Sequence, residues 1–223
     1  MSKKILILSI LFSITLAFIA CDETNRPNSR VSNQLKQGEP SQENSQLAQS
    51  FFDEGNYKQA LAHDLKQLKE DLQFYKEQSA EISLDYNNIG LDYDELEEYN
   101  KALEYYKKAM KIDNTVLDLN SSERATTYYN VASTYDAMDD NNNALNYYFK
   151  ALEIDKAILG ESHEDVLSSY LDIAKVYDKT EKYPSAITYY KKALKVQIKL
   201  YGEDDTDTEV IKRTIEEMNK KIK

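Results

Sequence analysis

The sequence predicts an all-α solenoid of stacked antiparallel helix hairpins, and three observations carry that expectation. Residues of the same type return at a fixed spacing of 42 along most of the 223-residue chain. Within each unit the apolar positions fall at i, i+3, i+4 and i+7, one face of an α-helix. Gly 5 and Pro 3 are too few for a sandwich, a barrel or a doubly wound sheet, all of which need many tight turns. Hydrophobic residues at 41% leave enough apolar content to fold.

The elements follow in chain order. Lys3 and Lys4 open the chain, and Ile5 to Ala20 is an uncharged run. It is short of the ~20 residues that span a bilayer as a helix and has the n-region and h-region of a secretory signal peptide. Phe18 stands at −3 before Cys21, where an ordinary signal peptidase needs a small residue. Phe18-Ile19-Ala20-Cys21 resembles a bacterial lipobox, with Phe18 in place of the usual Leu. The resemblance implies a cleaved segment at 1–20 and a lipidation site at Cys21, the sole cysteine. Its thioether to diacylglycerol and an acylated amino terminus hold the chain on a lipid bilayer, since several acyl chains anchor stably where one does not. The expected location is the bacterial cell envelope, outside the cytoplasm. Residues 21–45 are polar and contain two of the prolines. Such a stretch buries too little surface to offset its ordering entropy, so it reads as a flexible tether reaching roughly 25–30 Å.

Residues 46–223 are expected to form the folded domain. Tyr86, Tyr128 and Tyr170 share one register, as do Ile89, Val131 and Ile173, and Gly90, Ala132 and Ala174. The series continues through Tyr93, Tyr135 and Tyr177, through Ala102, Ala144 and Ala186, through Tyr106, Tyr148 and Tyr190, and through Ala109, Ala151 and Ala193. Two stripes per unit, parted by segments such as Asp139-Asp140-Asn141-Asn142, describe a helix, a tight turn and a second helix. A Gly or Ala facing a Tyr lets the two helices approach closely. Each hairpin buries one face only, so neighbours must stack to complete the core. Leu47, Ala48, Phe51, Ala60 and Leu61 fit a fourth, degenerate N-terminal repeat, in which Asp64 and Gln67 break the register. Val210, Ile211, Ile215, Met218 and Ile222 form one stripe with charges between, as in a C-terminal capping helix.

The order aromatic, small, Tyr, Ala, aromatic, Ala resembles the tetratricopeptide repeat (TPR), with Tyr for that family's Trp and with Asn114 or Lys156 where Pro is common. The standard period is about 34. A period of 42 resembles the kinesin-light-chain type, and Leu159-Gly160-Glu161-Ser162-His163 followed by Val166 is similar to its loop. The longer unit implies about two added helical turns per hairpin. Tyr201-Gly202 repeats Leu159-Gly160, which suggests a glycine in the left-handed αL region ending each second helix.

Several function classes are excluded. One cysteine gives neither a disulfide framework nor a Cys-based zinc site. Lys+Arg 28 against Asp+Glu 39 gives a net charge of −11, which opposes nucleic-acid binding. His63 and His163 have no second ligand at metal spacing, so a structural or solvated role is expected for both. The Asp139 to Asn143 run lacks the glycine and terminal Glu of a calcium loop. No phosphate loop, nucleophile elbow or paired acid and base is present. The chain reads as non-enzymatic and without a metal or cofactor.

The resemblance implies a concave partner-binding face on the first helix of each hairpin. Those positions are Leu84, Asn87, Asn88, Leu91 and Asp94, then Thr126, Tyr129, Asn130, Ser133 and Asp136, then Ser168, Leu171, Asp172, Lys175 and Asp178. Asn88 and Asn130 match asparagines of the clamp with which chaperone-binding members hold a C-terminal carboxylate. Thr126, Asn130, Ser168 and Asp172 stand where its basic residues belong. Asp94, Asp136, Asp172 and Asp178 favour a neutral or basic peptide segment instead. The leading expectation is a membrane-anchored scaffold for protein–protein interactions, an architecture shared with envelope lipoproteins of outer-membrane assembly and pilus biogenesis. The rivals are a sensory or regulatory module acting in trans on a signalling protein, and a self-assembling structural solenoid.

Overall fold

The computed structural model describes residues 40–222. Within them nine α-helices follow one another and no strand occurs. The signal segment, Cys21 and most of the tether lie outside the described residues. The helices are α1 Glu43–Asp53, α2 Tyr57–Phe74, α3 Ala80–Glu95, α4 Tyr99–Val116, α5 Ser122–Ala137, α6 Asn141–Leu159, α7 Glu164–Lys179, α8 Tyr183–Tyr201 and α9 Thr206–Lys221. α1/α2, α3/α4, α5/α6 and α7/α8 pair as hairpins, each second helix packs on the next first helix, and α9 closes the stack on α8. The expected architecture is therefore present, including the degenerate first repeat and the cap. α1 begins at Glu43, inside the last residues read as tether.

The period of 42 is written into the helix ends. Ser79, Ser121, His163 and Asp205 cap α3, α5, α7 and α9, each side chain accepting a backbone N–H of the first turn. Such caps satisfy donors that a helix start leaves open, worth about 1 kcal/mol each. Two residues further on stand Glu81, Glu123, Asp165 and Asp207, where the helix dipole favours an anion. His163 thus has a structural task, its Nδ1 accepting from Asp165 N–H at 3.3 Å.

The turns inside the hairpins correct two expectations. Each turn is three residues long, and its central residue has φ between 57° and 75°: Gly55, Glu97, Asp139 and Glu181. The next residue donates its N–H back to the carbonyl five positions earlier, as Asp140 does to Tyr135 at 2.9 Å and Lys182 to Tyr177 at 2.8 Å. This is the Schellman closure. Asn141 and Asn142 are consequently already helical, with Asp140 capping α6. Gly160 and Gly202 do not adopt αL. Their φ of 83° and 100° come with ψ of 168° and 172°, a region open essentially to glycine alone. The left-handed residues end the first helices, and three of the four carry a side chain. Glu181→Gly is expected to raise stability by roughly 0.5–1 kcal/mol, read by thermal or urea melts, because it relieves the αL penalty of an L-residue.

Between helices the small-against-large packing is as expected. Ala102, Ala109, Ala132, Ala144, Ala151, Ala174, Ala186 and Ala193 are fully buried, and Tyr106, Tyr148 and Tyr190 fill the space they leave. Gly90 shows how close the approach is, since a Cβ there would lie 2.6 and 2.7 Å from Tyr106 ring carbons. On the other side of the last three hairpins a second tyrosine layer closes the seam, where the first hairpin stacks Phe51 on His63. Tyr93 stacks on Tyr105, Tyr135 on Tyr147 and Tyr177 on Tyr189, with centroids 5.5, 5.8 and 5.7 Å apart. Lys108, Lys150 and Lys192, again 42 apart, place their ammonium groups 4.2, 4.5 and 4.6 Å from the Tyr105, Tyr147 and Tyr189 centroids. Each such contact adds about 0.5–1 kcal/mol at an exposed site. The largest core cluster joins the last two hairpins to Ile211, Ile215 and Met218 of the cap, while Val210 is only half-buried and Ile222 stays exposed.

The seam between the first two hairpins is built differently. Asp64 occupies the register position of Tyr106, and Gln67 that of Ala109. Both are buried, so the register is filled by polar groups and not abandoned. Gln67 accepts from the Ser45 backbone N–H at 3.2 Å and donates to Asp71 Oδ1 at 3.1 Å. Asp71 corresponds to Asp113, which at the next seam accepts from the hydroxyls of Ser83 and Thr127. The position of Thr127 is taken in the first seam by Asp85. A carboxyl can replace that hydroxyl as a donor to Asp71 only by keeping its proton. Burial, with Asp71 and Asp64 alongside, pushes Asp85 up to about 9.

Candidate partner-binding face

The first helices α3, α5 and α7 align side by side, and two rows of side chains at a spacing of 43 tie them together: the first joins α3 to α5 and α5 to α7, the second joins α5 to α7 and α7 to the cap helix α9. In the first row Asn130 donates to Asn87 Oδ1 at 3.2 Å, and the Tyr129 hydroxyl donates to Asp172 Oδ2 at 2.5 Å. In the second row Lys179 pairs with Asp136 at 2.6 Å, and Lys221 with Asp178 at 3.5 Å. A residue of one repeat meets the residue one place further along in the next repeat, which is why the spacing exceeds the period by one.

These rows decide where the expected binding residues stand. Asn87 and Asn88 are buried at 4% and 3%, so they belong to the packing and not to an open face. Asn130 is half-buried and engaged by Asn87. Leu171 is buried, while Leu84, Leu91, Thr126 and Ser168 are half-buried. Thr126 turns its hydroxyl to the Ser122 carbonyl at 3.0 Å. Tyr129 lays its ring edge-on to Tyr148, with centroids 5.4 Å apart. The Tyr148 hydroxyl in turn reaches Ser133. Lys175 holds Asp172 Oδ1 at 2.9 Å. Lys179 also reaches Asp139 at 2.8 Å.

Three of the four carboxylates expected to attract a partner, Asp136, Asp172 and Asp178, are thus matched by lysines of the chain itself. Charge along a single helix hid this, because two of the pairs cross between helices. A signal was present, however, in that Lys179 and Lys221 are 42 apart, one place beyond the series Asp136 and Asp178. The exception is Asp94. It is half-buried, and its Oδ1 is shielded from solvent with no hydrogen-bond partner among the described residues. Burial raises it to about 6, opposed by a bond from Thr134.

The chemistry available on this face is hydrogen bonding, charge and apolar contact. Burial, together with Asp94 for Tyr106, Asp172 for Tyr148 and Asp178 for Tyr190, holds these three phenols above their ordinary range, so they remain protonated donors. Among the described residues no group of three or more His, Cys, Asp or Glu is placed to hold a metal. Nor is any helix among them long and apolar enough to cross a membrane.

The tetratricopeptide repeat model matches residues 42–115 and 123–206. No curated protein sequence matches the chain. Among solved structures, BtubC (BKLC) from P. vanneervenii is similar over 80% of this chain and 71% of its own, at 24% identity and a TM-score of 0.70. A Podosopora anserina kinesin-light-chain protein of nearly identical TPR-like repeats is similar over 81% of this chain and 87% of its own, at 14% identity and a TM-score of 0.71. At these identities the structural likeness establishes the fold. The chain belongs to the tetratricopeptide repeat family, whose model matches more than half of it, and its fold is of the kinesin-light-chain-like kind.

Proposed function

We propose that this chain is a membrane-anchored scaffold of the bacterial cell envelope, non-enzymatic, which holds another protein on the face formed by α3, α5 and α7. TPR repeats serve protein–protein interaction, and the observation that supports this face is its construction. The first row of inter-repeat bonds, reinforced between α5 and α7 by the second, fixes three first helices as one continuous surface, along which Leu84, Leu91, Thr126 and Ser168 remain partly exposed to meet a partner. A surface preorganised in this way loses little freedom on binding. The ligand is a neutral or basic segment, since the clamp for an acidic C-terminus is missing. Cys21 supplies the anchor, and the acidic body stands off anionic headgroups at the end of its tether.

In-cell crosslinking of the tagged full-length chain in its own host, followed by mass spectrometry of co-purified proteins, tests this reading. One dominant partner is expected with the wild type and not with Leu91→Lys, whose helix content is verified by circular dichroism. Cys21→Ser is expected to move the chain from the membrane fraction to the soluble one. Recovery of self-crosslinks alone would favour a self-assembling solenoid, and an unchanged membrane fraction for Cys21→Ser would remove the lipid anchor.

A further inference from the structure

The second inter-repeat row is regular except at one rung. Its acidic positions are Asp94, Asp136 and Asp178, each 42 apart, and its cationic positions one place beyond the next repeat are Ala137, Lys179 and Lys221. Asp136 and Asp178 have their lysines. At the rung of Asp94 that place in the register is taken by Ala137, an exposed residue with neither charge nor reach. No ion pair among the described residues compensates Asp94, and its Oδ1 is without a hydrogen-bond partner. The groups around it are Thr134, the Tyr106 hydroxyl and the neighbouring acids Asp92 and Glu95, so the missing charge is not made up from another side. An unmatched, half-buried carboxylate is unfavourable in the free protein. The same site therefore rewards a cation brought from outside.

Resting on the reading of the α3, α5 and α7 face as partner-binding, we propose that Asp94 receives a lysine or arginine side chain of the bound segment, which completes the rung that Ala137 leaves open. The ligand is then a peptide segment with a basic residue at the Asp94 rung and an apolar residue for Leu91 or Leu84, which lie on the same helix about one and three turns back. Asp136 and Asp178, already engaged, contribute little to this choice.

The test uses the full-length chain in detergent micelles on an array of immobilised twelve-residue peptides of random composition. Peptides held by the wild type are expected to be enriched in Lys and Arg. Ala137→Lys, which supplies the missing cation from within, and Asp94→Asn are each expected to weaken those peptides about tenfold or more, because truncating one side of a shielded charge pair acts mainly on dissociation. Lys212→Ala, which breaks ion pairs to Glu203 and Glu209 at the cap helix and touches none of the face residues, serves as the control for a general loss of order and is expected to leave the enrichment in place. Captured peptides without basic enrichment, or an enrichment that survives Ala137→Lys, would overturn the Asp94 assignment while leaving the binding face intact. Capture of no peptide at all would overturn both.

Discussion

Replacing Asp85 by Asn raises the stability of the folded chain by roughly 2 kcal/mol or more at pH 8, and the gain grows with pH. The reason lies in the first seam, where Asp85 stands in the place of Thr127 and must donate to Asp71 as that hydroxyl donates to Asp113. Burial first, then Asp71 and Asp64, push Asp85 up from 3.8 to about 9. The folded chain holds a proton that the unfolded chain has lost over this whole range. The contribution of Asp85 is therefore fully present below 3.8 and is lost as pH rises toward about 9. An amide keeps the donor and has no proton to lose. The measurement is the difference between the two proteins' urea midpoints at pH 5, 7 and 8.5, which should widen steadily. A difference that stays constant with pH would contradict the shared proton. Asp85→Thr, which copies the next seam, should behave in the same direction.

The second large effect comes from a single methyl group. Gly90→Ala is expected to destabilise the chain by about 2–3 kcal/mol, although the equivalent residues Ala132 and Ala174 are alanine already. Intrinsic propensity alone favours the change by about 1 kcal/mol, so the sign decides between helix preference and packing. A Cβ at Gly90 would meet Tyr106 ring carbons at 2.6 and 2.7 Å, and Tyr106 is wholly buried while Tyr148 and Tyr190 keep 3% and 7% exposure. The ring has no room to withdraw. Adding Tyr106→Leu to Gly90→Ala should recover part of the loss, giving a favourable coupling in a double-mutant cycle. Additive losses would show that the clash relaxes elsewhere.

Both effects arise where one repeat departs from the others, and this also marks what the sequence could disclose. The register of Tyr, small and aliphatic positions determines hairpins and stacking because burial dominates helix packing, and those residue types recur through the three clear repeats. The cap helix and the degenerate first repeat were legible on the same ground. The conformation of Glu97, Asp139 and Glu181 was not, since no glycine marks the left-handed position and the Schellman closure tolerates a polar side chain there. Gly160 and Gly202 drew attention to the wrong ends of the hairpins. The binding face was legible as a set of positions and misjudged in its electrostatics. Asn87 and Asn88 read as polar and therefore open, but both are buried, Asn87 within an inter-repeat bond. The lysines that answer Asp136 and Asp178 lie two helices further on, beyond any pattern confined to one helix. Asp94 stands out only when the rung at 43 is known, because its identity matches its two counterparts and the difference resides in Ala137.

The most direct test of the account is photocrosslinking in the native host from a genetically encoded benzophenone residue placed at Leu84 on α3 and, in a separate strain, at Asn146, exposed on α6. The account predicts a crosslink to another protein from position 84 and none from position 146. Crosslinks of equal yield from both positions, or only to further copies of the chain, would contradict a partner-binding face on the first helices.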